Sequence, residues 1–213
     1  LMRSPSHSPA PAVPIAAPAE SLPATLPAVL DTVWQALARG VRERWTPWAL
    51  PTLATVAADG TPQARVIALR AADRDARTLT FHTDARSGKV AALGANRAAA
   101  VTFWDPGDAV EARFTGRMTV HRFDDVAHAA WQDASALSKS AAGIALAPGT
   151  PLTRATPFEQ LVQEGSAEMA LSHFAALVLE IETLDWLWLG PRDLRRARFA
   201  WGGRDGAGQW IVP

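Results

Sequence analysis

The chain has no cysteine and no tyrosine, and its only lysines are Lys89 and Lys139, the remaining basic residues being arginine. Without cysteine there can be no disulfide, no thiolate nucleophile and no zinc–thiolate centre. That absence is compatible with a reducing cytosol, and a cytoplasmic location is the expectation. Charge of one sign is lacking as well: 21 basic residues face 21 acidic ones. No basic excess points to nucleic acid or to a membrane surface. No stretch reaches the roughly 18–20 uninterrupted apolar residues of a membrane span. The histidines (His7, His82, His121, His128 and His173) show no ligand spacing, so no metal site is expected, and no Gly-x-Ser-x-Gly elbow occurs.

What remains is 48% hydrophobic over 213 residues, enough for one domain with a real core. Residues 1–25 are Pro- and Ala-rich, with prolines interrupting any apolar run. They read as a mobile, polyproline-like tail and not as a signal peptide. From residue 26 the pattern is that of a folded domain. Leu26, Val29, Leu30, Val33, Trp34, Leu37 and Val41 recur at helical spacing, predicting a helix over 26–44. Strands are predicted at 50–57, 62–71, 78–83, 98–104 and 110–122, the fourth buried on both faces and the fifth bulged at Gly116. Asp59-Gly60 marks a hairpin. Helices are expected at 86–93, capped by Asp84 or Ser87, and at 123–134 and 158–163, with a loop over 141–157. Residues 174–189 form a long strand or a strand pair, and 195–201 with 209–212 a closing hairpin. The sum is a mainly β chain, an antiparallel barrel of six to seven strands with added helices.

Chemistry concentrates between Arg65 and Lys89, RVIALRAADRDARTLTFHTDARSGK. Arg65, Arg70, Arg86 and Lys89 supply positive charge, and Thr83 and Ser87 supply hydroxyls. A helix start at Arg86-Ser87-Gly88-Lys89 offers free N–H groups and a close backbone approach, which suits a phosphate. The same residues also fit an ordinary solvated helix turn. Arg65 and Arg70 are five apart and project to opposite faces of a regular strand. The Trp186/Trp188 pair is either core or a ligand wall.

The order Arg65…Arg70, Phe81-His82-Thr83, Arg86-Ser87-Gly88-Lys89, then Trp188 and Arg198 ten residues on, resembles the pyridoxamine 5′-phosphate oxidase family of FMN-binding split β-barrels. It is closest to the general FMN-binding branch written FHTDxRSxKV. The resemblance covers about residues 45–213. It implies FMN as cofactor, with the phosphate held by Arg65, Ser87 and Lys89, and Arg86 as a substitute donor, since a family arginine falls on Gly88. It implies that the backbone of Val66, Ile67, Ala68 and Leu69 runs along the flavin ring, with Arg70 near its reactive end. His82 and Thr83 match an aromatic–Thr pair, and Glu111 falls where the family has a glutamine, although a carboxylate cannot donate as an amide does. Trp188 and Arg198 match residues that reach the flavin bound mainly by the other subunit of a homodimer. The implied activity is an FMN-dependent oxidoreductase taking a small-molecule substrate or a nicotinamide electron donor. The oxidases' Arg-Leu-His is replaced by Leu194-Arg195-Arg196. Their substrate-phosphate residues have no match beyond Ser138 or Ser140, which argues against pyridoxamine phosphate as substrate. The alternative is a protein that holds flavin, deazaflavin or haem without turnover. No side chain is singled out as catalytic.

Overall fold

A computed structural model describes residues 22–162, 167–201 and 207–213. Residues 1–21 of the expected tail, Gln163 of the expected helix and most of the last turn, 202–206, lie outside the described residues. Leu22 packs against the core and Thr25 caps the first helix, so the end of the expected tail belongs to the domain.

Helix α1 spans Leu26–Arg42, where Thr25 accepts the Ala28 N–H and Pro27 suits the first turn. It ends two residues before the expected boundary because Glu43 is extended. Val29, Val33, Trp34 and Leu37 form its buried stripe. A 3₁₀ turn at Pro47–Ala49 follows and buries Trp48, whose indole N–H donates to Asp105 at 3.0 Å.

The strands are β1 (Thr52–Val56), β2 (Pro62–Val66), β3 (Leu69–Asp73), β4 (Thr78–Asp84), β5 (Ala98–Asp105), β6 (Val110–His121), β7 (Phe174–Leu189), β8 (Leu194–Ala200) and β9 (Ala207–Ile211). Helices α2 (Gly88–Ala95), α3 (Asp125–Asp133), α4 (Ala136–Ala142), α5 (Phe158–Val162) and α6 (Ala167–His173) are inserted between them. Among the described residues every strand pair is antiparallel, in the order β2-β1-β5-β6-β7-β4-β3, with β8 and β9 branching from β7.

The expected strand over 62–71 is two strands. Val66 ends β2 and Leu69 begins β3, yet these strands lie at opposite ends of the seven-strand order. Two residues, Ile67 and Ala68, cross from one edge to the other. Such a short link requires the sheet to curl until its edges approach. The barrel is therefore joined across its seam by the chain and not by a hydrogen-bonded ladder. This is a split barrel, with nine strands where six or seven were expected.

Strand β7 is a single 16-residue strand. Its first half pairs with β4 and its second half with β8, while β6 runs along its other side. Strand β5 alternates instead of burying both faces: Ala99, Val101 and Phe103 point inward, and Trp104 is 46% exposed. Among the described residues no layer covers its outer face, so the apolar run reflects an exposed tryptophan and small residues. The expected irregularity at Gly116 is present as a register shift between Thr115 and Gly116. A Cβ on Gly116 would collide with the Glu180 carbonyl, a backbone atom that cannot swing away. Gly116→Ala is expected to destabilise the chain by about 1–3 kcal/mol, read from urea unfolding midpoints.

Candidate functional site

The seam places Arg65 next to the end of β2 and Arg70 next to the start of β3, with Lys89 in the first turn of α2. Arg65 turns inward and donates to the Leu53 carbonyl (3.3 Å), Thr55 Oγ1 (2.8 Å) and Gln63 Oε1 (3.1 Å). Ser87 is the N-cap of α2, but its hydroxyl makes no capping bond and is only 4% exposed with its residue. It accepts instead from Lys89 Nζ at 3.1 Å, and Thr83 Oγ1 accepts from the same ammonium at 2.9 Å. Thr83 and Ser87 lie 3.4 Å apart, closing a small triangle.

Burial pushes the Lys89 ammonium below its usual range, and the nearby Arg65 pushes it further, against the pull of Asp84. Burial likewise lowers Arg65. Among the described residues neither cation has a carboxylate within salt-bridge distance. Two desolvated like charges beside two hydroxyls form a niche that an anion would relieve. The donor set fits a phosphate.

Arg86 is committed elsewhere. Its Nε and Nη2 grip both oxygens of Asp84 at 3.0 and 2.6 Å, and it donates to the carbonyls of Ile144, Ala145 and Leu146. The structure corrects its expected role as a substitute phosphate donor: its donors clasp a loop to the end of β4. Arg86→Gln is expected to cost on the order of 2 kcal/mol, by stranding Asp84. Amide hydrogen exchange should accelerate at 144–150 but not in α2.

The clasped loop walls a cavity of about 430 Å³. Ile144, Leu146, Leu152, Leu161 and Phe174 give it an apolar body, and Arg70, His82, Thr83 and Ser138 line it as well. Arg70 Nη2 donates to Ser138 at 3.3 Å, while its Nε and His82 Nδ1 are buried without partners among the described residues. Arg70 and His82 also line an open groove of about 490 Å³ against α3. The sequence predicts only a loop over 141–157. Its signal was the spacing of Ile144, Leu146 and Leu152 in an otherwise small-residue loop, apolar side chains with no strand or helix of their own to bury them.

His82 is pushed down to about 4 from 6.5, by burial first, then by Arg70, with Asp133 opposing. It is neutral near pH 7. Between pH 6.5 and about 4 the unfolded chain binds more protons at this site than the folded one. Stability is therefore lost as pH falls through that window, and His82→Gln should flatten the loss measured by urea unfolding at pH 7.5 and 4.5.

The other expected residues fall in two further places. Val66, Glu111 and Arg198 share the outer face of the sheet, where strand registers place Thr52, Thr102, Arg113 and Asp185 between Val66 and Arg198. There Asp185, 8% exposed, accepts from Arg196 at 2.8 Å and from Arg113 at 3.0 Å, and Arg113 lies 3.8 Å from Glu111. The Arg196 hydrogen bond, more than its charge or Arg113, holds the Asp185 carboxyl below its ordinary value against burial. Trp188 instead points inward beneath α1, lining a cavity of about 150 Å³ with Val33, Trp48 and Trp186. It is 4% exposed, its indole N–H unpaired. Ile67 and Leu69 are buried, and Ala68 is half-buried between them. The structure thus gathers Arg65, Thr83, Ser87 and Lys89 in one niche and Arg70 and His82 beside it. Trp188 lies in the core, away from the outer face that carries Arg198.

A family profile described as pyridoxamine 5′-phosphate oxidase matches residues 41–184. The chain belongs to the pyridoxamine 5′-phosphate oxidase family. A pyridoxine/pyridoxamine 5′-phosphate oxidase from Pseudomonas entomophila (strain L48) is 45% identical over 67 residues, covering 32% of this chain and 30% of that protein. The match thus spans under a third of the relative's length. Among solved structures, a pyridoxamine 5′-phosphate oxidase-related, FMN-binding protein from Nostoc punctiforme PCC 73102 superposes with a TM-score of 0.73 at 23% identity, covering 86% of this chain and 96% of that one. PhzG from Burkholderia lata 383, solved with tetrahydrophenazine-1-carboxylic acid, gives 0.64 at 22% identity over 88% and 92%. At such identities these two show the fold. Family and fold together point to flavin binding. Among the described residues no helix is long and apolar enough to cross a membrane.

Proposed function

We propose that this member of the pyridoxamine 5′-phosphate oxidase family is an FMN-dependent oxidoreductase acting on a small molecule other than pyridoxamine phosphate. The observation that carries the reading is the niche of Arg65, Thr83, Ser87 and Lys89, in which two partly desolvated cations have no carboxylate partner among the described residues. It would hold the FMN phosphate, while the seam backbone at Ile67–Ala68 supports the ring and Arg70 provides positive charge at its edge. A bound flavin supplies two-electron redox chemistry; the protein supplies anchoring, orientation and field. A nicotinamide electron donor is part of the reading.

A homodimer is also proposed, with the cofactor at the interface. Exposed Val66 (64%) and Trp104 (46%) on the outer face support it, since large apolar side chains there gain from a second copy. Arg198 on that face would be offered to the partner's flavin.

The test is retention of FMN by the purified chain after desalting. The wild type should stay yellow, and Lys89→Met should lose FMN affinity by about 10- to 100-fold. A wild-type chain that releases all its flavin overturns the reading. Mixing the loaded protein with NADPH or NADH in stopped flow separates enzyme from carrier: bleaching of the flavin supports turnover, and an unchanged spectrum with both donors favours a binding protein.

A further inference from the structure

The loop over 144–157 has little of its own to hold it down. Leu146 (41%) and Leu152 (47%) remain exposed although they wall the cavity. Among the described residues, its hydrogen bonds beyond the helices α4 and α5 at its two ends all come from one side chain. Arg86 donates to the carbonyls of Ile144, Ala145 and Leu146. The backbone bonds there are local, from the Ile144 N–H to the Ala141 carbonyl and from the Thr150 N–H to the Ala147 carbonyl. A segment held by so few interactions opens at a free energy well below that of global unfolding.

The aim of the Arg86 side chain is set by Asp84, whose two oxygens accept from Nε and Nη2. The Arg86 backbone N–H also donates to Asp84 Oδ1 at 2.7 Å. Both residues lie between Thr83 and Ser87 of the niche in the chain, and the Ser87 N–H donates to the Asp84 carbonyl at 3.1 Å. Asp84 thus serves two cations. It pairs with Arg86, and its field also draws on Lys89, which has no carboxylate within salt-bridge distance among the described residues.

We propose that niche and loop form one regulatory device: an anion seated on Thr83, Ser87 and Lys89 tightens the Arg86–Asp84 clasp and so closes residues 144–152 over the cavity. The inference rests on the flavin reading only for naming that anion as the FMN phosphate. Two effects act in the same direction. The anion becomes the counter-charge of Lys89 and leaves Asp84 to Arg86 alone. It also puts a second negative charge near Asp84, which makes the guanidinium harder to withdraw. Arg86 does not leave for the anion, because Nε, Nη1 and Nη2 are all engaged by Asp84 and the loop. Coupling of this kind is reciprocal, so a closed loop holds the anion more tightly by the same factor. A chain without its anion presents a cavity with a loose wall, and a chain with it presents a finished one.

The experiment follows amide hydrogen exchange at Ile144 and Thr150 in the full, flavin-free chain. Inorganic phosphate is the probe, and sodium chloride at equal ionic strength is the reference. Saturating phosphate is expected to slow both amides about fivefold or more while leaving α1 unchanged. Lys89→Met should abolish the slowing. Arg86→Gln should exchange fast with or without phosphate, and should bind phosphate more weakly by the factor that phosphate slows the wild type. If Arg86→Gln does not fold, Arg86→Lys, which keeps the charge and loses the fork, should show the same lost response. Exchange unchanged or speeded by phosphate, a response that survives in Lys89→Met or in a folded Arg86 variant, or no phosphate binding at all overturns the proposal. A chain that shows the phosphate response yet releases FMN supports the coupling and sinks the flavin reading. A chain that retains FMN while phosphate leaves the loop untouched does the reverse.

Discussion

The structure depends on one constraint, the passage of the chain from β2 to β3 in two residues. Those strands sit at opposite ends of the hydrogen-bonded order, so Ile67 and Ala68 force the sheet to curl. Ile67 is buried and donates its N–H to the Pro51 carbonyl at 2.9 Å, which ties the seam to the start of β1. Leu69 is buried beyond it. The seam explains why Arg65 and Arg70 differ so much in surroundings. One belongs to each edge: Arg65 acts on Lys89 of α2, whereas Arg70 reaches Ser138 of α4.

Electrostatics then sorts the cations by whether an acid answers them. Arg86 has Asp84, and Arg113 and Arg196 share Asp185; these groups hold the architecture in place. Arg65, Lys89 and Arg70 have no such partner among the described residues, although all three are at least partly desolvated. Cations that are both paired and partly buried add local rigidity, whereas unpaired ones lower stability until an anion arrives. Paired Arg86 and unpaired Lys89 lie in the same four-residue stretch, so residue type alone could not separate them.

Arg86 shows why the sequence was only partly legible. Its place before Ser87-Gly88-Lys89 reads as a phosphate donor, because spacing records who is near in sequence and not which carbonyls return from residue 144. The amphipathic helix, the hairpin at Asp59-Gly60 and the Gly116 bulge were readable from local periodicity and turn chemistry, while the cap of α2 was readable only as Asp84 or Ser87. The break at Ile67–Ala68 was not, since both residues suit a strand and the interruption comes from closing the barrel. Helices α4 and α6 were hidden by short length and Ala- or Ser-rich composition. Strand β5 misled because an apolar run is blind to which face lacks a covering layer. Of the site, the Thr83–Ser87–Lys89 cluster was visible as a block within seven residues, whereas the apolar cavity wall depends on contacts about 60 residues apart.

The length of β7 has a consequence for how the chain is made. Before it exists, the ribosome has delivered a β2-β1-β5-β6 sheet and a separate β3-β4 hairpin, each ending in an open edge. Among the described strands only β7 hydrogen-bonds to both β6 and β4, and it comes from residues 174–189. A nascent chain stalled before residue 174 therefore has two strand edges looking for one missing partner. The ladder that joins the two parts needs residues 174–189, so copies truncated before them are the form of this protein most exposed to pairing with each other.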